Sequence, residues 1–308
     1  PAAIQRIGAA HRKFGTTGFL PTLISDRTQV MRSAIDAVRA AMAIDGAGVL
    51  GIHLEGPFLS PARPGVHDAA KFREPEPTLL DLVASVRVGR TLMTLAPDRV
   101  APPIIKELVR RDVILCAGHT AADYATARAA FDAGIRGVTH LFNAMPAMLN
   151  REPGVVGAAL EDDRVWCGLI VDGYHVHPAT LRVALAAKPV GKTFLVTDAM
   201  PTVGSAETSF YLGQERVRCE SGVCVTEAGV LAGSALDMAS AVRNTVRLLG
   251  VPLEEAARMA STYPAAFLGL EQERGRIAPG LRADFVVLDD ELVVREVWCG
   301  GSVDERPL

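Results

Sequence analysis

The chain has 308 residues, 49% hydrophobic and 22% charged, an ordinary balance for one large α/β domain with a substantial core. A formal net charge of −3 argues against a nucleic-acid footprint and against attraction to an anionic membrane surface. No apolar run approaches the ~20 residues that span a bilayer, and no signal peptide opens the chain, so neither a membrane nor a nucleic acid is expected as a partner.

Residues 5 to 15 carry a helical pattern. A strand is expected over 19 to 24, then a helix over 27 to 43, where apolar positions recur at helical spacing. The next strand, 48 to 54, runs into His53-Leu54-Glu55-Gly56-Pro57-Phe58. A long loop follows, with five prolines from Pro57 to Pro77, and it carries Val66 and His67. Helix 77 to 86, strand 91 to 95 and helix 102 to 111 keep the alternation. Val113 to Cys116 is a short apolar run ending in Gly118-His119. An alanine-rich helix comes next, with Tyr124, Ala127 and Phe131 at helical spacing and Gly134 closing it. A second apolar run ends in Thr139-His140, and Asn143, Ala144 and Arg151 stand in the loop beyond. Strand 166 to 171 leads into Asp172-Gly173-Tyr174-His175. A helix near 178 to 187 precedes strand 193 to 197, which ends at Asp198. Residues 207 to 226 alternate like an inserted antiparallel hairpin. Helices near 235 to 249 and 253 to 268 follow. After the Pro279-Gly280 turn come short β runs at 283 to 288 and 293 to 299.

Cysteine usage agrees with a reducing cytoplasm. Five cysteines cannot all pair, and Cys116 and Cys167 lie inside apolar strand runs as buried free thiols. Cys219 and Cys224 flank a hairpin turn, with no second pair to complete a structural zinc site.

Seven strands alternating with helices imply a parallel sheet with right-handed crossovers. Polar groups recur at several strand ends, which favours a closed eight-stranded (β/α) barrel lacking one strand over an open sheet with a single switch point. No glycine-rich phosphate loop opens a helix, so a nucleotide fold loses weight. Neighbouring strands lie about 4.8 Å apart, so histidines at matching strand ends can reach one ion. Taken singly, His119 or His140 reads more readily as a hydrogen-bonded core histidine. Repetition of polar groups at equivalent strand ends is what points to a site.

Glu55 closes its strand between Leu54 and Gly56, where a carboxylate builds nothing in a strand; the alternative is a surface turn. With His119 and His140 it makes a three-ligand set that leaves coordination positions for water and substrate. Asp198 is placed to take a proton from a metal-held water and pass it on, unless it merely caps a helix. His67 and His175 are loop histidines able to orient a polar substrate. His53 reads as structural, and His177 as a helix start. The fork of Arg151 suits a phosphate, although a lone loop arginine is usually solvated.

Together, HLEGPF, GHT, THLFNAM, REPG, DGYHVHP, LVTDAM and LAGSALDM, in that order, resemble the N-acetylglucosamine-6-phosphate deacetylases, a branch of the metal-dependent amidohydrolases. The likeness runs from about residue 5 to residue 301. It implies a distorted barrel over 1–275 with a hairpin insertion near 207–226, and strands of a small β-sandwich in 276–308. It implies metal ligands at Glu55, His119 and His140 and a catalytic acid/base at Asp198. Substrate contacts are implied at Val66, His67, Asn143, Ala144, Arg151, Asp172, Gly173, Tyr174, His175, Leu231, Ala232 and Gly233. Many members carry a His-x-His variant on a first strand that this chain lacks, so one or two metal ions per subunit are expected. Zinc leads, with iron, manganese and cobalt as alternatives for such donors. A cytoplasmic homodimer is implied, acting on N-acetylglucosamine 6-phosphate. The alternatives are another acylated amino-sugar phosphate, such as N-acetylgalactosamine 6-phosphate, or a sugar-phosphate-binding barrel without turnover.

Overall fold

A computed structural model describes residues 1–44, 46 and 48–303. Seven strands, β1 (Thr22–Ile24), β2 (Gly51–Glu55), β3 (Arg90–Leu95), β4 (Val113–Ala117), β5 (Gly137–Val138), β6 (Trp166–Leu169) and β7 (Thr193–Leu195), form one sheet in sequential order. Every pairing within it is parallel. The strands match the seven expected from the sequence, although several end one or two residues earlier. Their side chains are buried on both faces, as a parallel sheet under helices requires.

The helices are α1 (Ala2–Arg12), α2 (Thr28–Met42), α3 (Pro77–Val83), α4 (Pro102–Arg110) and α5 (Tyr124–Ala133). They continue with α6 (Gly154–Glu161), α7 (Pro178–Ala187), α8 (Met238–Leu249), α9 (Leu253–Ala260) and α10 (Thr262–Phe267). Their ends follow local chemistry. Asp123 caps α5 by accepting from Thr126 N at 2.8 Å, and Gly134 ends it in the left-handed region at φ 119°. Pro178 starts α7, where its missing N–H is harmless, and His177 caps it through Ala179 N.

Two departures from the sequence reading have plain causes. The segment 253 to 268 is two helices, broken at Ser261, because Pro264 cannot donate to a continuous ladder but fits a first turn. Helix α6 was not anticipated. It is buried on nearly every side, through Val155, Val156, Ala158, Ala159 and Leu160, so it carries no amphipathic period.

The insertion is larger than a hairpin. Strands β8 (Ser209–Leu212), β9 (Glu215–Glu220), β10 (Val223–Thr226) and β11 (Leu231–Ser234) make a four-stranded sheet. Cys219 and Cys224 stand opposite each other in its β9–β10 register and are joined as a disulfide, which rules out the zinc option there and departs from the expectation of free thiols throughout a reducing compartment. Cys116 and Cys167 are buried thiols, as expected, and burial pushes both up to about 12. Near the end, β12 (Phe285–Leu288), β13 (Val294–Cys299) and β14 (Ser302–Val303) form an antiparallel sheet. The last five positions of the expected sandwich segment, 304 to 308, lie outside the described residues.

Candidate active site

Register places the two histidines side by side. Ala117 of β4 pairs with Val138 of β5, so His119 and His140, each two residues further on, stand at one level. Glu55 ends β2 opposite Ile24 and Thr94. In a flat sheet β2 and β5 would be three spacings, about 14 Å, apart. Yet Glu55 Oε1 lies 3.1 Å from His140 Nε2 and 3.2 Å from His119 Nε2. The sheet therefore curls as a barrel does, and the curl creates the site.

All three groups are buried, Glu55 at 5% exposure, which rules out the surface-turn alternative. His119 Nδ1 donates to the Arg63 carbonyl at 3.1 Å, so its Nε2 presents a lone pair to the cluster. His140 Nε2 lies 3.2 Å from His119 Nε2, and the buried His140 Nδ1 has no partner among the described residues. Two imidazole lone pairs and a carboxylate oxygen at such spacing repel unless a cation or proton lies among them. Bonds of about 2.0–2.1 Å in a tetrahedral shell put ligand atoms about 3.4 Å apart, close to what is seen. The donor set fits a divalent cation, and among the described residues it is the group of His, Cys, Asp and Glu that can hold one.

The charges reflect this crowding. Burial alone would raise Glu55, but the His140 and His119 imidazoles, 3.1 and 3.2 Å from its Oε1, hold it well below the usual carboxylate range. Burial alone would lower His140, but the Glu55 carboxylate overrides it and lifts the imidazole to about 9. Asp198 is raised, first by loss of water and then by repulsion from Glu55. His140, His175 and His119 also act on it electrostatically, so the β7 terminus faces the same centre. No helix begins at Asp198, so the capping alternative falls away.

His119, His140 and Asp198 share a backbone peculiarity: φ is 47°, 33° and 51°, the left-handed region that non-glycine residues avoid. Such a conformation costs roughly 1–2 kcal/mol per residue and persists where surrounding contacts dictate it.

His67 lies in this centre too, its ring 4.5 Å from that of His119 and its Nε2 4.0 Å from Glu55 Oε2. Its Nδ1 accepts from Ser25 N–H at 3.4 Å, which leaves the proton on Nε2, facing the carboxylate. His67 is thus a donor where His119 is an acceptor. Val66 packs against the β9–β11 sheet. Asp172 Oδ2 accepts from His175 Nδ1 at 2.6 Å, and Asp172 Oδ1 accepts from the Tyr174 and His175 N–H groups. Gly173 takes φ 83° in that turn. Tyr174 is half exposed and donates its hydroxyl to Ser221 O, linking the turn to the β9–β10 hairpin. Asn143 ties its own loop through Nδ2 to His140 O at 3.1 Å, and Ala144 O accepts from Thr120 N. Leu231, Ala232 and Gly233 lie on β11, which reaches Asp198 through a parallel bridge from Ser234 to Ala199. Arg151 stands exposed, and no hydrogen bond or ion pair among the described residues brings it to the cluster. Its neighbour Glu152 anchors the loop, accepting from Tyr124 N and Gly154 N.

Sequence reasoning passed over the supports: Ser25, the Arg63 carbonyl, Ser234 and a chain of hydroxyls beneath the site. In that chain His53 Nδ1 meets Thr22, its Nε2 meets Thr94 at 2.8 Å, and Thr94 meets Thr139 at 2.7 Å. The structural role assigned to His53 agrees with this. Their place just past or at a strand end is the signal that could have found Ser25 and Thr139, but nothing local points to their partners.

Residues 2–304 match the Amidohydrolase family. The chain is 44% identical over 294 residues to an N-acetylgalactosamine-6-phosphate deacetylase of Shewanella sp. (strain ANA-3), covering 96% of this chain and 74% of that one. It superposes with a TM-score of 0.95 on N-acetylglucosamine-6-phosphate deacetylase from Pasteurella multocida, at 32% identity, covering 98% of this chain and 80% of that one. A Mycobacterium smegmatis N-acetyl-D-glucosamine-6-phosphate deacetylase, an aspartate-to-alanine variant in complex with N-acetyl-D-glucosamine-6-phosphate, matches with a TM-score of 0.89 at 36% identity. That match covers 98% of this chain and 80% of the other.

Proposed function

The chain belongs to the amidohydrolase family, and from that footing we propose that it hydrolyses the acetamide of N-acetyl-D-glucosamine 6-phosphate to acetate and D-glucosamine 6-phosphate. The observation that carries this reading is the convergence of Glu55, His119 and His140, from three separate β/α units, beside Asp198. In this reading those three residues hold a divalent cation, zinc first among the candidates. When bound, such an ion supplies Lewis acidity to the amide carbonyl and lowers the pKa of a bound water towards about 7.

The chain's own groups do the rest. Asp198 accepts the proton of the attacking water and returns it to the departing amine, so the leaving group is a neutral amine rather than an amide anion. Its raised pKa suits both halves of that exchange. His67 offers its Nε2–H as a donor to the sugar or amide, while His175, oriented by Asp172, offers an acceptor. Arg151 and the Asn143–Ala144 turn take the phosphate, with Val66, the 172–175 turn and the Leu231–Gly233 strand framing the sugar. The reading also assigns the barrel to 1–275 and a β segment to 276–308, and pairs two copies as a homodimer. It places the enzyme in the cytoplasm, since a charged sugar phosphate does not cross a bilayer unaided.

The test is Asp198→Asn. Acetate release should fall by about 10³-fold or more while cation content, measured by elemental analysis, stays at the wild-type level. Release near the wild-type rate with cation bound would sink the assignment. A second reading, N-acetylgalactosamine 6-phosphate as substrate, is favoured by the 44% identity to a deacetylase of that name. One hydroxyl separates the sugars, so comparing kcat/KM on the two decides it. Wild-type protein with bound cation and no turnover on either sugar would leave only a binding barrel.

A further inference from the structure

Asp198, with its left-handed backbone, is hydrogen-bonded to a strand residue 36 positions further on. Ser234 pairs with the next residue, Ala199, and its main-chain bonds fall on the residues either side of that one. Ser234 N–H donates to Asp198 O at 2.8 Å, and Met200 N–H donates to Ser234 O at 2.9 Å. The side chain adds a third tie, because Ser234 Oγ donates to Thr197 O at 2.5 Å while accepting from Leu236 N at 2.9 Å. Ser234 is 1% exposed, so these bonds are shielded from bulk water. The approach is close enough that a Cβ on Gly233 would stand 2.8 Å from Asp198 O. Glycine at 233 admits the strand, and serine at 234 fastens it.

We propose that Ser234 is a positioning residue: its hydroxyl, bonded to the carbonyl just before Asp198, holds that aspartate in the left-handed conformation that turns it to Glu55, His119 and His140. This rests on reading Asp198 as the proton carrier. Without the hydroxyl, Thr197 O and Leu236 N–H lose their buried partner, and the backbone at 198, left with only its main-chain tie to Ser234, can shift towards the extended region that aspartate prefers. The carboxylate then moves relative to the reacting atoms, and a displacement near 1 Å can cost about 100-fold in rate.

The experiment compares Ser234→Ala, Ser234→Thr and Asp198→Asn in the cation-loaded protein. For Ser234→Ala, kcat should fall about 10- to 100-fold, with KM within about twofold and cation content unchanged. The solvent deuterium isotope effect on kcat should rise, because proton transfer becomes the slow step. Ser234→Thr, which keeps the hydroxyl, should return kcat to within about threefold of wild type. Should Ser234→Ala fail to fold, Ser234→Cys keeps the volume with a weaker donor and should show the same fall in smaller measure. Wild-type kcat in Ser234→Ala, alongside an inactive Asp198→Asn, would overturn the proposal and leave the reading of Asp198 standing. Loss of cation in step with kcat, or an unchanged isotope effect, would make Ser234 merely structural and also overturn it. Turnover retained in Asp198→Asn would remove the reading beneath it.

Discussion

At the scale of single residues, the site is a contest between desolvation and proximity, and proximity wins at His140. Its imidazole is lifted to about 9 in the cation-free protein because Glu55 is 3.1 Å away. A folded pKa above the unfolded 6.5 adds stability that is full below 6.5 and lost as pH rises through 9. Burial lowers His67 to about 3 and lowers His53 as well, but those groups act below 6.5, so the higher window belongs to His140. Thermal melts of chelator-stripped protein should therefore fall between pH 6.5 and 9. Cation-loaded protein should lack that loss, because a ligand imidazole is already neutral. Calorimetry at pH 7 in buffers of different ionisation heat should find about one proton released per cation bound. No proton release, or identical melts for the two forms, would contradict the ligand role of His140.

At the scale of elements, α5 connects the two histidine strands, and its start is fixed by one exposed carboxylate. Asp123→Ala removes the bond to Thr126 N and should lower stability by ~1 kcal/mol in urea titration. A loss well above that would mean Asp123 does more than cap. Elements also show where the sequence was readable. Strands β2, β4 and β7 were legible because apolar runs stop at Glu55, Gly118-His119 and Asp198. Helix α6 was not, since a helix buried all round carries no period to read. The disulfide escaped because only the β9–β10 register puts Cys219 opposite Cys224.

Across the whole molecule, a second buried carboxylate holds the far end of α6. Asp162 accepts from Arg164 Nη2 at 2.6 Å and from Arg128 Nη1 at 2.8 Å, and Lys188 Nζ donates to its carbonyl at 2.6 Å. The Arg164 guanidinium holds Asp162 at about 2, against 3.8 unperturbed. A depressed folded pKa adds stability that is present above 3.8 and lost as pH falls through 2. Arg164 is largely exposed, so water screens the pair and the contribution of the Asp162 carboxylate is at most about 1 kcal/mol. Asp162→Asn should thus be less stable than wild type by that amount at pH 7, with the gap closing towards pH 2. A constant gap across the acid range would mean that packing, not charge, is lost.

The sequence by itself determined which residues end strands, and with them the carboxylate, the two imidazoles and the aspartate, because strand length and polarity are written in neighbouring positions. Only the tertiary structure decided that these strand ends meet. The curl that brings β2 to β5 sums the twist of every intervening strand, and no short stretch encodes it. The same holds for the left-handed backbone at His119, His140 and Asp198, which ordinary side chains disfavour locally. At Asp198 it comes with a hydrogen bond from distant Ser234.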